Sequence, residues 1–193
     1  MPGQQAKLIS PIVLQRMLNH VRRYSRHPAR DRVMILLSVR AGLRAAEIAK
    51  LTWAMLLDGR GRIGDMLAVT DHIAKLRGGR RIPLHTELRA ALEEHLRLTV
   101  MTDGPIIRSL RGGAMKPNSI VNWFAALFVA LGIEGCSSHS GRRTFITQAA
   151  RNVHRAGCSL RDVQLLAGHR SIETTQGYID GHTDGQRKLI GLL

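Results

Sequence analysis

Prolines and glycines divide this chain of 193 residues into helix-sized segments, and their positions limit the possible folds more than any other feature. Proline is well tolerated in the first turn of a helix, whereas glycine is common just beyond its last turn. Pro11, Pro28 and Pro117 each begin a stretch with apolar residues at helical spacing, and two of these stretches end at Gly42 and Gly132. The pattern therefore predicts a chain that is mainly α-helical.

One segment in the middle of the chain breaks this pattern. Residues 66–69 and 82–84 are short apolar runs, and Gly78 and Gly79 lie between them, as is typical of a β-hairpin or a small three-stranded sheet. We therefore expect one domain over residues 1–193, mainly α with a small antiparallel β-sheet (α+β). Further helices are predicted for residues 44–51, 86–96 (capped by Thr86), 139–151 and 159–166.

The charge of the chain restricts its partners. There are 29 Lys and Arg residues against 14 Asp and Glu residues, which gives a net charge of +15. A chain this basic attracts polyanions, and nucleic acid is the commonest of them. Six arginines lie between positions 16 and 32 with one aspartate. A solvated helix face would also explain that segment, but contact with a phosphate backbone accounts better for the charge of the whole chain.

Several classes of protein are excluded by composition. The longest apolar run, residues 124–131, is much shorter than the roughly 20 residues that a membrane-spanning helix needs. No apolar signal-peptide core is present at the N-terminus. Two cysteines, Cys136 and Cys158, do not make a disulfide framework. We therefore expect a protein of the cytoplasm and not a secreted, membrane-spanning or fibrous one.

Four short stretches carry candidate chemistry, although each has a plain structural interpretation when taken alone. In residues 41–53, Arg44 and Glu47 are one helical turn apart and share a face with Ile48 and Leu51, so Glu47 is placed to hold Arg44. An ordinary surface pair at this spacing would stabilise the helix by only about 0.2–0.5 kcal/mol. Taken alone, this stretch is therefore better explained as a surface pair.

The other three stretches are also weak evidence on their own, and a plain structural explanation is favoured for the His139–Arg142 pair and for Lys75. His139 and Arg142 are one turn apart and could bind one anion or simply lie on a helix surface. His169 follows a glycine and precedes Tyr178 by nine residues, with no obvious structural reason. Lys75 lies in the predicted hairpin, where a solvated turn lysine is common.

Together and in this order, the stretches are much more specific. Gly-Leu-Arg-x-x-Glu-Ile, Arg-x-Ile-Pro-Leu, His-x-x-Arg-x-Thr and Gly-His-x-Ser-Ile-x-Thr-Thr-x-x-Tyr occur in turn. This set resembles the phage-integrase family of tyrosine recombinases, over nearly all of residues 10–182. The resemblance implies that family's catalytic-domain fold and a catalytic set supported by Glu47: Arg44, Lys75, His139, Arg142, His169 and Tyr178.

The resemblance also implies a reaction and its partners. Tyr178 would attack a phosphodiester of double-stranded DNA, form a 3′-phosphotyrosyl link and allow rejoining, without a metal or other cofactor. Members act as dimers or tetramers on DNA, so we expect a homo-oligomer associated with the nucleoid. The contacts expected to DNA come from arginines: Arg22, Arg23, Arg26, Arg77, Arg80, Arg81 and Arg143.

The ends of the chain carry two further expectations. Members usually have an N-terminal helical domain that clamps DNA, and only 43 residues precede Arg44. We therefore expect a catalytic domain without that clamp, either a fragment of a longer protein or a small single-domain member of the family. An accessory DNA-binding protein could then take the place of the clamp. The tail, residues 179–193, is expected to dock on a neighbouring protomer or on its own domain through Leu189, Ile190, Leu192 and Leu193, or else to fray.

Several alternatives remain open at this stage. Arg77 or Arg80 could replace Lys75 as the basic hairpin residue, and Arg143 stands where the family commonly has histidine. Residues 159–180 could form the helix-turn-helix of a non-catalytic regulator, with residues 172–179 as its recognition helix. A relaxing activity like that of a type IB topoisomerase would use the same chemistry. Zinc-like Cys/His spacing at 136–139 and 154–158 is disfavoured, because a helix of about 20 Å is predicted between the two pairs.

Overall fold

The computed structural model describes residues 6–74, 78–99, 103–178 and 190–191. Its compact units are residues 1–145 and 146–193, and each is described by itself. The elements of the described residues are two strands, β1 (Met66–Val69) and β2 (Arg80–Pro83), a short 3₁₀ turn (Trp53–Met55) and the following helices: α1 (Pro11–Tyr24), α2 (Pro28–Arg40), α3 (Ala45–Lys50), α4 (Thr86–Arg97), α5 (Pro117–Ala130), α6 (Ser140–Asn152), α7 (Leu160–Ala167) and α8 (Ile172–Gln176). The prediction of a mainly helical fold with a small sheet is confirmed.

The helix starts predicted from proline are confirmed. Pro11, Pro28 and Pro117 are each the first residue of a helix, where a missing backbone N–H leaves no hydrogen bond unmade. Ser10 caps α1, because its hydroxyl accepts a hydrogen bond from the Val13 N–H at 3.2 Å. Local chemistry therefore sets where these helices begin.

The cap of α4 was predicted wrongly. Thr86 is the first residue of the helix, and His85 precedes it as the cap. The Nδ1 atom of His85 accepts the Glu87 N–H at 3.1 Å, a role that requires an unprotonated ring nitrogen. Partial burial and the positive charge of Arg40 lower the pKa of His85, which favours that neutral form.

The sheet of the first unit is a single antiparallel pair. Val69 pairs with Arg80 and Met66 with Pro83, so the hairpin prediction is confirmed and no third strand lies among the described residues. Leu67 and Ile82, which are 0% and 1% exposed, face the core. Because side chains alternate along a strand, Arg80 lies on the same face as Ile82 and Arg81 on the opposite face.

Helix α2 is the centre of the first unit. Its consecutive residues Met34, Ile35, Leu36 and Leu37 are each 0% exposed. The helix is therefore buried on all sides rather than along one stripe, and it packs against α1, α3 and α4.

The second unit contains a tight pair of short helices, α7 and α8. Ser159 donates its backbone N–H to the Asp162 carboxylate at 2.8 Å and so caps the start of α7. Gly168 ends it with φ of +64°, a conformation that suits glycine. Within the described ranges, no helix is long and apolar enough to cross a membrane.

Candidate active site

The turn before α3 depends on Gly42. Its φ is +64°, and a Cβ atom at this position would overlap the ring of Phe145. Both the backbone conformation and the space therefore require glycine. The turn brings Arg44 to the N-cap of α3, with an extended backbone.

Glu47 fixes Arg44, as the spacing of the two residues predicts. Its carboxylate accepts the Arg44 backbone N–H at 2.8 Å and the Arg44 Nη1 at 3.2 Å. The Glu47 side chain is 1% exposed, whereas that of Arg44 is 26% exposed. Arg44 is thus held from its buried side while the side chain still reaches the surface.

Arg80 is a second partner of the same carboxylate, which the sequence analysis missed. Its Nη1 and Nη2 lie 2.9 and 3.1 Å from the two carboxylate oxygens of Glu47, and its side chain is only 4% exposed. The expectation that Arg80 contacts DNA therefore does not fit its position. Strand alternation is the signal that could have found it, because Arg80 lies two residues before the buried Ile82.

The two arginines keep Glu47 charged. Burial alone raises the pKa of this carboxyl, but the hydrogen bonds and charge of Arg80, with those of Arg44, outweigh it and lower the pKa below its ordinary value. A buried carboxylate needs such compensation, because desolvation of an unpaired charge is costly. Glu47 is therefore an anion at neutral pH.

Arg142 is held by the main chain of the same turn. It lies on α6, is 5% exposed, and donates from Nη1 to the Gly42 carbonyl at 2.7 Å. The close approach of α6 depends on Gly141, since a Cβ atom there would overlap the Ser38 hydroxyl of α2. Arg44 and Arg142 are thus both anchored to residues 42–47.

The neighbours of Arg142 have different environments. His139 is exposed and precedes α6, one helical turn before Arg142. Arg143 is half-buried and donates to the Ala6 carbonyl at 2.7 Å. The Arg143 guanidinium thus already holds the backbone at Ala6, and a contact with DNA would have to use its other N–H groups or replace this hydrogen bond.

The second unit brings His169 and Tyr178 together. Their rings stack with centroids 5.6 Å apart and planes inclined by 25°. The Nδ1 atom of His169 lies 3.0 Å from the hydroxyl oxygen of the fully buried Thr175. Gln164 donates to the His169 carbonyl at 3.0 Å and so fixes the turn between α7 and α8. With Nδ1 bonded in this way, the imidazole orientation is set.

One of the open alternatives, the helix-turn-helix regulator, loses support within the described residues. Helix α8 has five residues, which is short for a recognition helix that must cross the major groove. In the described part of the chain, no three His, Cys, Asp or Glu side chains group as possible metal ligands.

Other predicted site residues are exposed or cannot be placed. Arg22, Arg23, Arg26 and Arg81 are all exposed. Lys75 and Arg77 lie outside the described residues, as do Leu189, Leu192 and Leu193 of the tail, whereas Ile190 is 68% exposed.

Comparison with known proteins gives a consistent result. The model of the phage integrase family matches residues 7–184. The tyrosine recombinases XerC of Methylobacterium sp. (strain 4-46) and Rhizobium meliloti (strain 1021) are 31% and 32% identical over 154 residues, which cover 78% of this chain and 45% of each relative. The chain thus spans about half the length of these curated relatives.

A solved structure shares the fold. The integrase of transposon Tn1549, in complex with a circular intermediate DNA, superposes with a TM-score of 0.77 at 19% identity. The match covers 100% of this chain and 67% of that one.

Proposed function

Because the chain belongs to the phage integrase family, we propose that it cleaves DNA at a specific site and rejoins it through a covalent link to Tyr178. The observation that carries the proposal is the anchoring of Arg44 and Arg142 within one short segment, residues 42–47, by the Glu47 carboxylate and the Gly42 carbonyl. Two guanidinium groups held in this way suit a phosphate whose negative charge increases in the transition state.

Arg44 has the donors that such a role requires. Within the described residues, Nη1 is the one guanidinium nitrogen of Arg44 with a hydrogen-bond partner. Its other N–H groups can therefore donate to the non-bridging oxygens of a phosphodiester, as arginine forks commonly do. The fixed orientation means that little reorganisation is needed when charge develops.

The remaining roles follow the family resemblance. The Tyr178 oxygen forms a bond to phosphorus while the bond to the 5′-oxygen breaks, and His139 accepts the tyrosine proton. Lys75 gives a proton to the departing 5′-oxygen, and His169 donates a hydrogen bond to the phosphate. A 5′-hydroxyl then attacks the phosphotyrosine, releases Tyr178 and restores the backbone, so no metal or cofactor enters the scheme.

The partner is double-stranded DNA, bound through the exposed arginines of the first unit. Arg22, Arg23, Arg26 and Arg81 are available for phosphate contact, and a net charge of +15 supports binding that depends strongly on salt. We propose a dimer or tetramer on DNA, with an accessory DNA-binding protein as a further partner, in the nucleoid of the cytoplasm.

The test is covalent trapping on a nicked substrate whose cleavage product diffuses away. The wild-type chain should form an adduct that mass spectrometry maps to Tyr178, and Tyr178→Phe should bind DNA but form none. Tyr24→Phe is the matched control, because Tyr24 is 66% exposed on α1 and should be dispensable. An adduct at Tyr24, or one that persists in Tyr178→Phe, would refute the assignment.

A further inference from the structure

The Glu47 carboxylate is shared evenly between two arginines. Oε1 accepts from Arg44 Nη1 at 3.2 Å and from Arg80 Nη1 at 2.9 Å. Oε2 accepts from the Arg44 backbone N–H at 2.8 Å and from Arg80 Nη2 at 3.1 Å. Each oxygen therefore has one hydrogen bond from each arginine, and the position of Arg44 depends on a group that Arg80 also holds.

Burial distinguishes the roles of the two arginines. The side chain of Arg80 is 4% exposed and that of Glu47 is 1% exposed, whereas that of Arg44 is 26% exposed. Arg80 is thus enclosed behind the carboxylate, and Arg44 is the member of the three that reaches the surface. Both Nη atoms of Arg80 donate to the Glu47 carboxylate, so this guanidinium is placed to support its neighbour through that carboxylate.

The geometry of the Arg80 pair explains how this support works. A guanidinium is a planar, rigid fork, and two parallel N–H donors fix the plane of a carboxylate as well as its position. Without Arg80, Glu47 could rotate about its terminal bonds and still contact Arg44. With Arg80, both oxygens are fixed, and so is the side of Arg44 that they hold.

Arg80 is itself anchored in the sheet. It begins β2, where it pairs with Val69 of β1, and it follows Lys75 by five residues. The contact with Glu47 therefore joins the stem of the hairpin to the first turn of α3. One ion pair thus links the start of α3 to the first residue of β2.

We infer that Arg80 is a positioning residue of the DNA-cleavage site, which fixes the Glu47 carboxylate and, through it, the orientation of Arg44. The inference rests on the proposed function, since Arg44 is assigned there to the scissile phosphate. It gives Arg80 a role different from the DNA contact that the sequence predicted.

The test measures the rate at which the full chain cleaves the nicked substrate in a single turnover, at a saturating concentration of DNA. Arg80→Met should lower the cleavage rate by about 100-fold, the loss that a misplacement of about 1 Å can cause. Arg80→Lys should remain folded and still be slower than wild type by roughly tenfold, because one ammonium cannot fix both oxygens. Arg89→Met is the matched control: it removes ion pairs with Asp65 and Glu93 in the same unit and should cleave at the wild-type rate.

A double-mutant cycle separates positioning from general damage. If Arg80 acts through Arg44, the Arg80→Met change should cost little once Arg44 is already alanine, because the two effects share one path. A loss of equal size in both backgrounds would overturn the inference. So would wild-type cleavage by Arg80→Lys.

The pH profile gives a second readout that a purely structural role would not change. Among the described residues, the charged groups that act on Glu47 are Arg44 and Arg80. Burial raises the pKa of Glu47 and Arg80 lowers it, so removing Arg80 should raise this pKa. As the pH is lowered, the cleavage rate of Arg80→Met should therefore begin to fall at a higher pH than that of the wild type. Adding Glu47→Gln should abolish this difference, and an identical profile in Arg80→Met and wild type would contradict the inference.

The wild-type adduct distinguishes the two levels of failure. If the wild type forms the Tyr178 adduct and Arg80→Met is unimpaired, the inference fails and the proposed function stands. If the wild type forms no adduct, both are overturned.

Discussion

The structure gives a clear expectation for how Glu47→Gln changes the free energy of unfolding. The substitution keeps the shape of the side chain but removes the negative charge that Arg44 and Arg80 share. One carboxylate oxygen becomes an NH₂ group, which faces arginine donors and cannot accept from them. Arg80, at 4% exposure, is then a buried cation that has lost its carboxylate partner.

The expected cost is large for one substitution. Removing one partner from a buried ion pair typically costs about 3–5 kcal/mol, because the remaining charge stays desolvated. For a chain of this size, each kcal/mol lowers the melting temperature by roughly 2–4 °C, so we expect a drop of about 6–20 °C. Glu93→Gln is the control: this residue pairs with Arg89 at the surface, where such pairs contribute about 0–1 kcal/mol.

The pH dependence of unfolding checks the cause. The folded-state pKa of Glu47 lies below its ordinary value of 4.5, so its charge stabilises the fold above that pH and this stabilisation is lost as the pH falls through the folded-state value. The difference in unfolding free energy between wild type and Glu47→Gln should therefore be constant near neutral pH and shrink below about pH 4.5. Urea titrations at several pH values measure it. A difference under about 1 kcal/mol at pH 7 would refute the argument, since that is the size of a surface pair.

Three further predictions concern the site and the interface. Arg44→Ala and Arg142→Ala should each lower single-turnover cleavage by about 10²–10³-fold, the usual loss for one transition-state donor. A rate within a few-fold of wild type would show that the arginine does not act on the scissile phosphate. Gly42→Ala should lower the melting temperature measured by thermal unfolding, because the φ of Gly42 is +64° and the new Cβ would overlap Phe145. An unchanged melting temperature would contradict this prediction. DNA affinity, measured by fluorescence anisotropy, should fall by roughly 10³–10⁵-fold between 50 and 200 mM salt if ~6–10 cations meet phosphates, whereas affinity that does not change with salt would argue against a phosphate-based interface.

Local sequence signals predicted the helix boundaries because their causes are local. Pro11 and Pro28 begin helices through the chemistry of one residue. The link between Arg44 and Glu47 was also predictable, since it spans one helical turn. In each case the partners lie within a few positions along the chain.

The failures have the opposite cause. Arg80 meets a carboxylate 33 residues earlier in the sequence, and no spacing rule connects the two positions. The hydrogen bond from Arg143 to the carbonyl of Ala6 also spans a long stretch of sequence, although the DNA contact expected of Arg143 stays a prediction. His85 was missed as a cap because histidine serves only when its ring is neutral, which depends on burial and on the charge of Arg40. Contacts between residues far apart in sequence decide these roles. A basic composition does not distinguish an arginine that contacts DNA from one that binds a carboxylate within the protein.

The two ways of anchoring an arginine in this site differ in how they respond to mutation. Arg44 is held by the side chain of Glu47, which Arg80 also contacts, so a substitution of Glu47 removes this anchor. Arg142 donates to the carbonyl of Gly42, and every amino acid has that carbonyl. This hydrogen bond therefore depends on the course of the backbone at Gly42, and its acceptor does not titrate. The hydrogen bond of Arg44 thus requires a carboxylate at position 47, whereas that of Arg142 requires the turn conformation that only glycine at position 42 permits.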